Sequence, residues 1–117
     1  MPENFFSDSE IEGLREISLA ELREICDKIV LAIKGFNVDE NGKYTLKRIG
    51  DLYHTVTGTA GIVGLMEISG LASEAEDLAK TEDVETGDAI SKLRSMTDHF
   101  NLMLSGLEDN RRDPSRR

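Results

Sequence analysis

Apolar residues recur at intervals of three and four along almost the whole of this 117-residue chain. Ile11, Leu14, Leu22, Ile25, Ile29, Ala32 and Phe36 form one such row, with Ser18 its one polar member. An α-helix turns once in about 3.6 residues, so the row is one face of a helix about 26 residues long. Ser7 or Ser9 is placed to cap its start, and Glu10 and Glu12 suit the positive end of the helix dipole. Gly35 and the stretch from Asn37 to Gly42 end it in a turn. A second helix is predicted from about Lys43 to Val63, on Ile49, Leu52, Val56, Ala60 and Val63, with Gly64 as its break. A third is predicted from Leu65 to Lys80, on Leu65, Ile68, Leu71 or Ala72, Ala75 and Leu78 or Ala79. Thr81 to Gly87 reads as a polar connection. Thr86 or Asp88 then caps a fourth helix, on Ile90, Leu93, Thr97, Phe100, Leu104 and Leu107. No segment alternates as a half-buried strand does, and only two prolines interrupt the chain. Short connections make antiparallel neighbours. The expected fold is all-α: an antiparallel up-and-down four-helix bundle over residues 1–108, followed by a disordered Arg-rich tail over 109–117.

Charge narrows the partners. The chain carries a formal −9. Four of its 14 basic residues are Arg111, Arg112, Arg116 and Arg117; without residues 111–117, ten basic and 22 acidic residues remain, a charge of −12. Such a body repels nucleic acid and anionic membrane. The longest apolar run, Ile29 to Ile33, falls far short of the roughly 20 residues of a membrane helix. The acidic start does not read as a secretory signal. Cys26 is the single cysteine, so no internal disulfide can form. A cytoplasmic protein is expected.

One helix is anomalous. Gly50, Gly58, Gly61, Gly64 and Gly70, half of the ten glycines, lie between residues 50 and 70. Each glycine inside a helix costs about 1 kcal/mol relative to alanine, so the cluster needs a reason. With about 100° between successive residues, Lys43, Lys47, Gly50, Asp51, Thr57, Gly58, Gly61 and Leu65 fall on the same side of the second helix as His54. Ile49, Leu52, Val56 and Val63 fall on the other. The wheel thus turns His54 to solvent, with nothing bulky beside it. A plain surface histidine is one reading. The other is a nucleophile left open to a partner protein, since imidazole ionises near neutral pH and its nitrogen accepts a phosphoryl group.

The stretch His54-Thr-Val-Thr-Gly58-Thr-Ala60-Gly61-Ile-Val-Gly64-Leu65 resembles the signature of histidine phosphotransfer (HPt) domains. The Ala60-Gly61 pair is most similar to the phosphotransfer domains of chemotaxis-type histidine kinases. The resemblance implies a helical bundle that carries phosphate on His54, between a histidine kinase and an aspartate of a response-regulator receiver domain. In chemotaxis-type members a glutamate 22 residues after the histidine contacts its other ring nitrogen. Glu76 stands at that distance, where a solvated helix carboxylate is the alternative. The family's lysine three residues after the histidine is Thr57 here, which offers a phosphoryl group a hydrogen bond but no charge. Lys47, Asp51, Gly58, Gly61 and Leu65 are the expected partner-binding residues. The chain would be a phosphorelay intermediate and not an enzyme, with kinase or receiver supplying Mg²⁺. A binding module of the same fold that docks a receiver or kinase without carrying phosphate is the alternative, motivated by Thr57.

Other chemistry finds no support in the sequence. His99 is flanked by Met96, Leu102 and Met103, which give no clearance. Cys26 reads as a small core residue. Glu74, Glu76 and Asp77 are joined by no histidine or cysteine at ligand spacing, so no metal site is expected. No Gly-rich loop ends in Gly-Lys-Ser/Thr, and no cofactor is expected.

Overall fold

A computed structural model describes residues 7–36 and 42–112. It holds four helices: α1 (Asp8–Lys34), α2 (Gly42–Ile62), α3 (Met66–Lys80) and α4 (Thr86–Arg112). No strand occurs among the described residues. Ser7 caps α1: its hydroxyl accepts from the Glu10 amide while the Glu10 side chain accepts from the Ser7 amide, satisfying two end donors at once. Gly35 closes the helix. The expected turn at 37–41 lies outside the described residues, and Gly42 already belongs to α2.

Contacts join the helices in a consistent order. Gly50 lies against Lys80, His54 against Glu76, and Thr57 against Ser69, so α2 and α3 run antiparallel. Arg15, early in α1, donates to the Val63 carbonyl at the far end of α2 (3.1 Å). Arg23 of α1 reaches Glu108 near the end of α4 (2.9 and 3.1 Å). The result is a four-helix bundle whose contacts agree with the antiparallel course the periodicity predicts. Leu22, Ile29, Ile49, Val56, Leu93, Phe100 and Leu104 are fully buried at its centre.

Three details differ from the sequence reading. Leu14 is exposed and Ile11 only half-buried, so the first turns of α1 lie at the margin of the core. Neither Thr86 nor Asp88 caps α4; the Glu85 carboxylate does, accepting from the amides of Gly87 and Asp88 (both 3.0 Å). An acid there also suits the helix dipole. Finally, α4 continues to Arg112, beyond the boundary expected at 108; residues 113–117 of the expected tail lie outside the described residues. Among the described residues, no helix is long and apolar enough to cross a membrane.

Candidate functional site

The α2–α3 hairpin sets the site. Gly64 takes φ +77°, which a side chain would resist. The Leu65 amide donates back to the Ala60 carbonyl (2.9 Å) and the Gly64 amide to the Gly61 carbonyl (3.2 Å), a Schellman ending for α2. From Gly64 back to His54 is ten residues, about 15 Å of helix; forward to Glu76 is twelve, about 18 Å. Helical side chains lean toward their own N-terminus, so His54 leans away from the turn and Glu76 toward it. The two meet at one level. The His54 Nδ1 lies 3.0 and 3.2 Å from the two Glu76 carboxylate oxygens.

Chemistry assigns the proton. The Lys80 hydrogen bond, the largest influence, holds Glu76 below the usual carboxylate range; burial opposes it, and the His54 contact adds to it. An ionised carboxylate only accepts, so Nδ1 donates, and in the neutral imidazole Nε2 keeps its lone pair. The Glu76 side chain is 18% exposed and the imidazole 73%, so the ring is held from within and open outward. Among the described residues Nε2 has no hydrogen-bond partner. A Cβ placed on Gly58 would meet nothing within 4 Å, and one on Gly61 only the Ser69 hydroxyl oxygen at 3.6 Å. The face beside His54 is therefore clear.

The other expected residues divide. Lys47 and Asp51 are exposed on the His54 face and pair with each other (3.2 Å). The Thr57 hydroxyl donates to the Tyr53 carbonyl one turn earlier (3.0 Å), so it must rotate before it can serve another acceptor. Leu65 is half-buried and packs against the core, because α2 has ended before it. Gly50 is a clear correction. It is buried, not open: the end of α3 lies over it, with Ala79 Cβ at 3.3 Å and Lys80 Cε at 3.2 Å from where its own Cβ would stand. A helical wheel places a residue around its own axis but knows nothing of the neighbour that covers it.

Sequence reasoning missed Lys80. Its ammonium lies 2.9 Å from Glu76 and 3.6 Å from Asp51. The signal was present, since Lys80 follows Glu76 by four residues, the distance of neighbours on one helix face. It also missed Ser69, whose hydroxyl donates to the Thr57 carbonyl (3.0 Å) and ties α3 to α2 beside the site. His99 is exposed and outside this cluster. Cys26 is fully buried, and burial pushes its thiol up to about 11, which makes it a poor nucleophile. Among the described residues no group of three or more His, Cys, Asp or Glu is arranged to hold a metal.

One family model matches this four-helix chain. The Hpt domain model matches residues 13–110. The chain belongs to the Hpt domain family. Hpt domains are phosphocarrier modules of two-component signalling rather than enzymes in the ordinary sense, and they work with kinases and receiver domains. Neither the comparison with curated proteins nor that with solved structures gave a match.

Proposed function

We propose that His54 carries a phosphoryl group on Nε2, taking it from a histidine kinase or a phosphorylated receiver and passing it to a receiver aspartate. The observation that carries this is the contact of Nδ1 with Glu76, which leaves Nε2 as the open nucleophile on a face cleared by Gly58. In transfer from a receiver, the Nε2 lone pair forms the P–N bond, the P–O bond of the acyl phosphate breaks, and the aspartate leaves as carboxylate. Nδ1 keeps its proton throughout, and the positive charge gained by the ring faces Glu76. Glu76 is thus the orienting residue. Thr57 donates to the phosphoryl group after its hydroxyl turns from the Tyr53 carbonyl. Lys47, Asp51, Gly58 and Gly61 form the partner-facing surface, with Leu65 at its edge. The Ala60-Gly61 pair and the position of Glu76 favour the chemotaxis-kinase type within the family. A cytoplasmic setting fits these partners.

Incubation with an active kinase domain or a phosphorylated receiver should give acid-labile, base-stable phosphate on the wild type. His54→Gln should abolish it while the bundle still folds. Phosphate retained by that variant would refute the assignment. A second reading, a docking module that carries no phosphate, is favoured by the engagement of the Thr57 hydroxyl within α2. Partner binding without any labelling of His54 would establish it.

A further inference from the structure

The charged groups around His54 form a continuous alternating row. Lys47 pairs with Asp51 (3.2 Å), Asp51 with Lys80 (3.6 Å), Lys80 with Glu76 (2.9 Å), and Glu76 with His54 Nδ1 (3.0 Å). Lys80 is the centre of this row and, among the described residues, the one cation that touches both carboxylates. Its place is built, not incidental. Gly50 has no side chain, and the Lys80 stem lies in the space a Cβ would fill, with Cε and Cγ at 3.2 and 3.4 Å. Gly50, buried in α2, is therefore the seat of the lysine of α3.

The Lys80–Asp51 contact adds little to folding. Lys80 and Asp51 are 46% and 56% exposed, and ion pairs at such exposure contribute little to stability. Their effect is local and electrostatic. A phosphoryl group brings about −1.5 to −2 charge at neutral pH. It would arrive beside Glu76 and one helical turn from Asp51, on a body that is already acidic.

We propose that Lys80 is a positioning residue for the reactive pair, and that Asp51 restrains it by competing with Glu76 and with an arriving phosphoryl group for the same ammonium. This rests on the assignment of His54 as the phosphoryl acceptor. Asp51 is then a brake on phosphorylation, and its removal a gain of function. Removing a unit charge about 6 Å from another in water changes an equilibrium by about threefold, which sets the scale.

The test uses the full chain and potassium phosphoramidate as donor, so that no partner is needed. The Nε2 lone pair forms the new P–N bond, the donor's P–N bond breaks, and ammonia leaves with its electrons. Labelling is followed by ³¹P NMR on the wild type and on His54→Gln, Asp51→Asn, Lys80→Met, Lys80→Arg and the Asp51→Asn/Lys80→Met double variant. Asp51→Asn should label faster by about threefold, Lys80→Met slower by a similar factor, and Lys80→Arg close to the wild type, as a charge effect at this range requires. The gain from Asp51→Asn should shrink when Lys80 is already gone, which is the mark of coupled residues. Imidazole ¹⁵N shifts supply a second readout: Lys80→Met should weaken the Nδ1–H···carboxylate signature of His54, and Lys80→Arg should restore it. An Asp51→Asn variant no faster than wild type, or a gain undiminished without Lys80, overturns the proposal. Equal labelling of wild type and His54→Gln overturns the acceptor assignment itself.

Discussion

The Tyr53 and Thr97 hydroxyls meet 2.6 Å apart inside the bundle, one residue before the exposed His54. The Tyr53 ring is fully buried and tilted against Phe100, with centroids 6.0 Å apart. Burial pushes the phenol's ionisation well above its usual range, so it stays neutral. Successive residues of α2 thus face core and solvent, and the first fixes how the second is presented. Tyr53→Phe leaves the buried Thr97 hydroxyl without this partner and should cost about 1–3 kcal/mol. Adding Thr97→Val should recover most of that, since both polar groups are then gone. Urea denaturation of the single and double variants measures the coupling.

Gly58 separates clearance from stability. A Cβ there meets nothing, so Gly58→Ala should stabilise α2 by about 1 kcal/mol through helix propensity alone. Gly58→Arg should keep the fold and lose partner docking. Thermal unfolding and titration with a receiver domain distinguish the effects. A destabilised alanine variant would show that α2 requires glycine for its own packing.

Acid should remove what Glu76 contributes. Its folded ionisation lies below the ordinary 4.5, with the Lys80 hydrogen bond the largest cause. A depressed carboxylate stabilises above the unfolded value, and that contribution is lost as pH falls through the folded value. Wild type and Glu76→Gln should therefore differ in denaturation midpoint at pH 7 and converge well below pH 4.5. A difference that persists in strong acid would mean that packing, not charge, is the cause.

Arg23 joins the first helix to the last. Its guanidinium holds Glu108 through two nitrogens and also reaches Asn101 and Ser105. The pair is partly shielded, at 27% and 15% exposed. Arg23→Met should cost about 1 kcal/mol, discounted from a fully buried pair for solvent screening. Hydrogen exchange should show the loss concentrated near the end of α4.

The fold was legible because burial follows helical period. The rows built on Ile29, Val56, Ala75 and Leu104 are the rows that meet inside. The same period turned His54 outward, while Glu76 was singled out by the family resemblance alone. What periodicity could not supply was the identity of neighbours. Gly50 shares a wheel sector with His54, yet α3 covers it. Tyr53 carries a polar tip that disguises a core ring until Thr97 is seen opposite. Lys80 reads as the last residue of a helix until the antiparallel packing lays it across α2.

The left-handed turn at Gly64 has a consequence for how such a chain can vary. Ten residues on one side and twelve on the other bring imidazole and carboxylate level, and the two opposite leans close the remaining gap. One residue added between the turn and Glu76 would swing the carboxylate by about 100° around α3, off the face it shares with α2. Core residues of α3 that follow the insertion, Ala79 among them, would turn with it. The hairpin works as a caliper, and its arm lengths are a tighter specification than the identity of most residues along them.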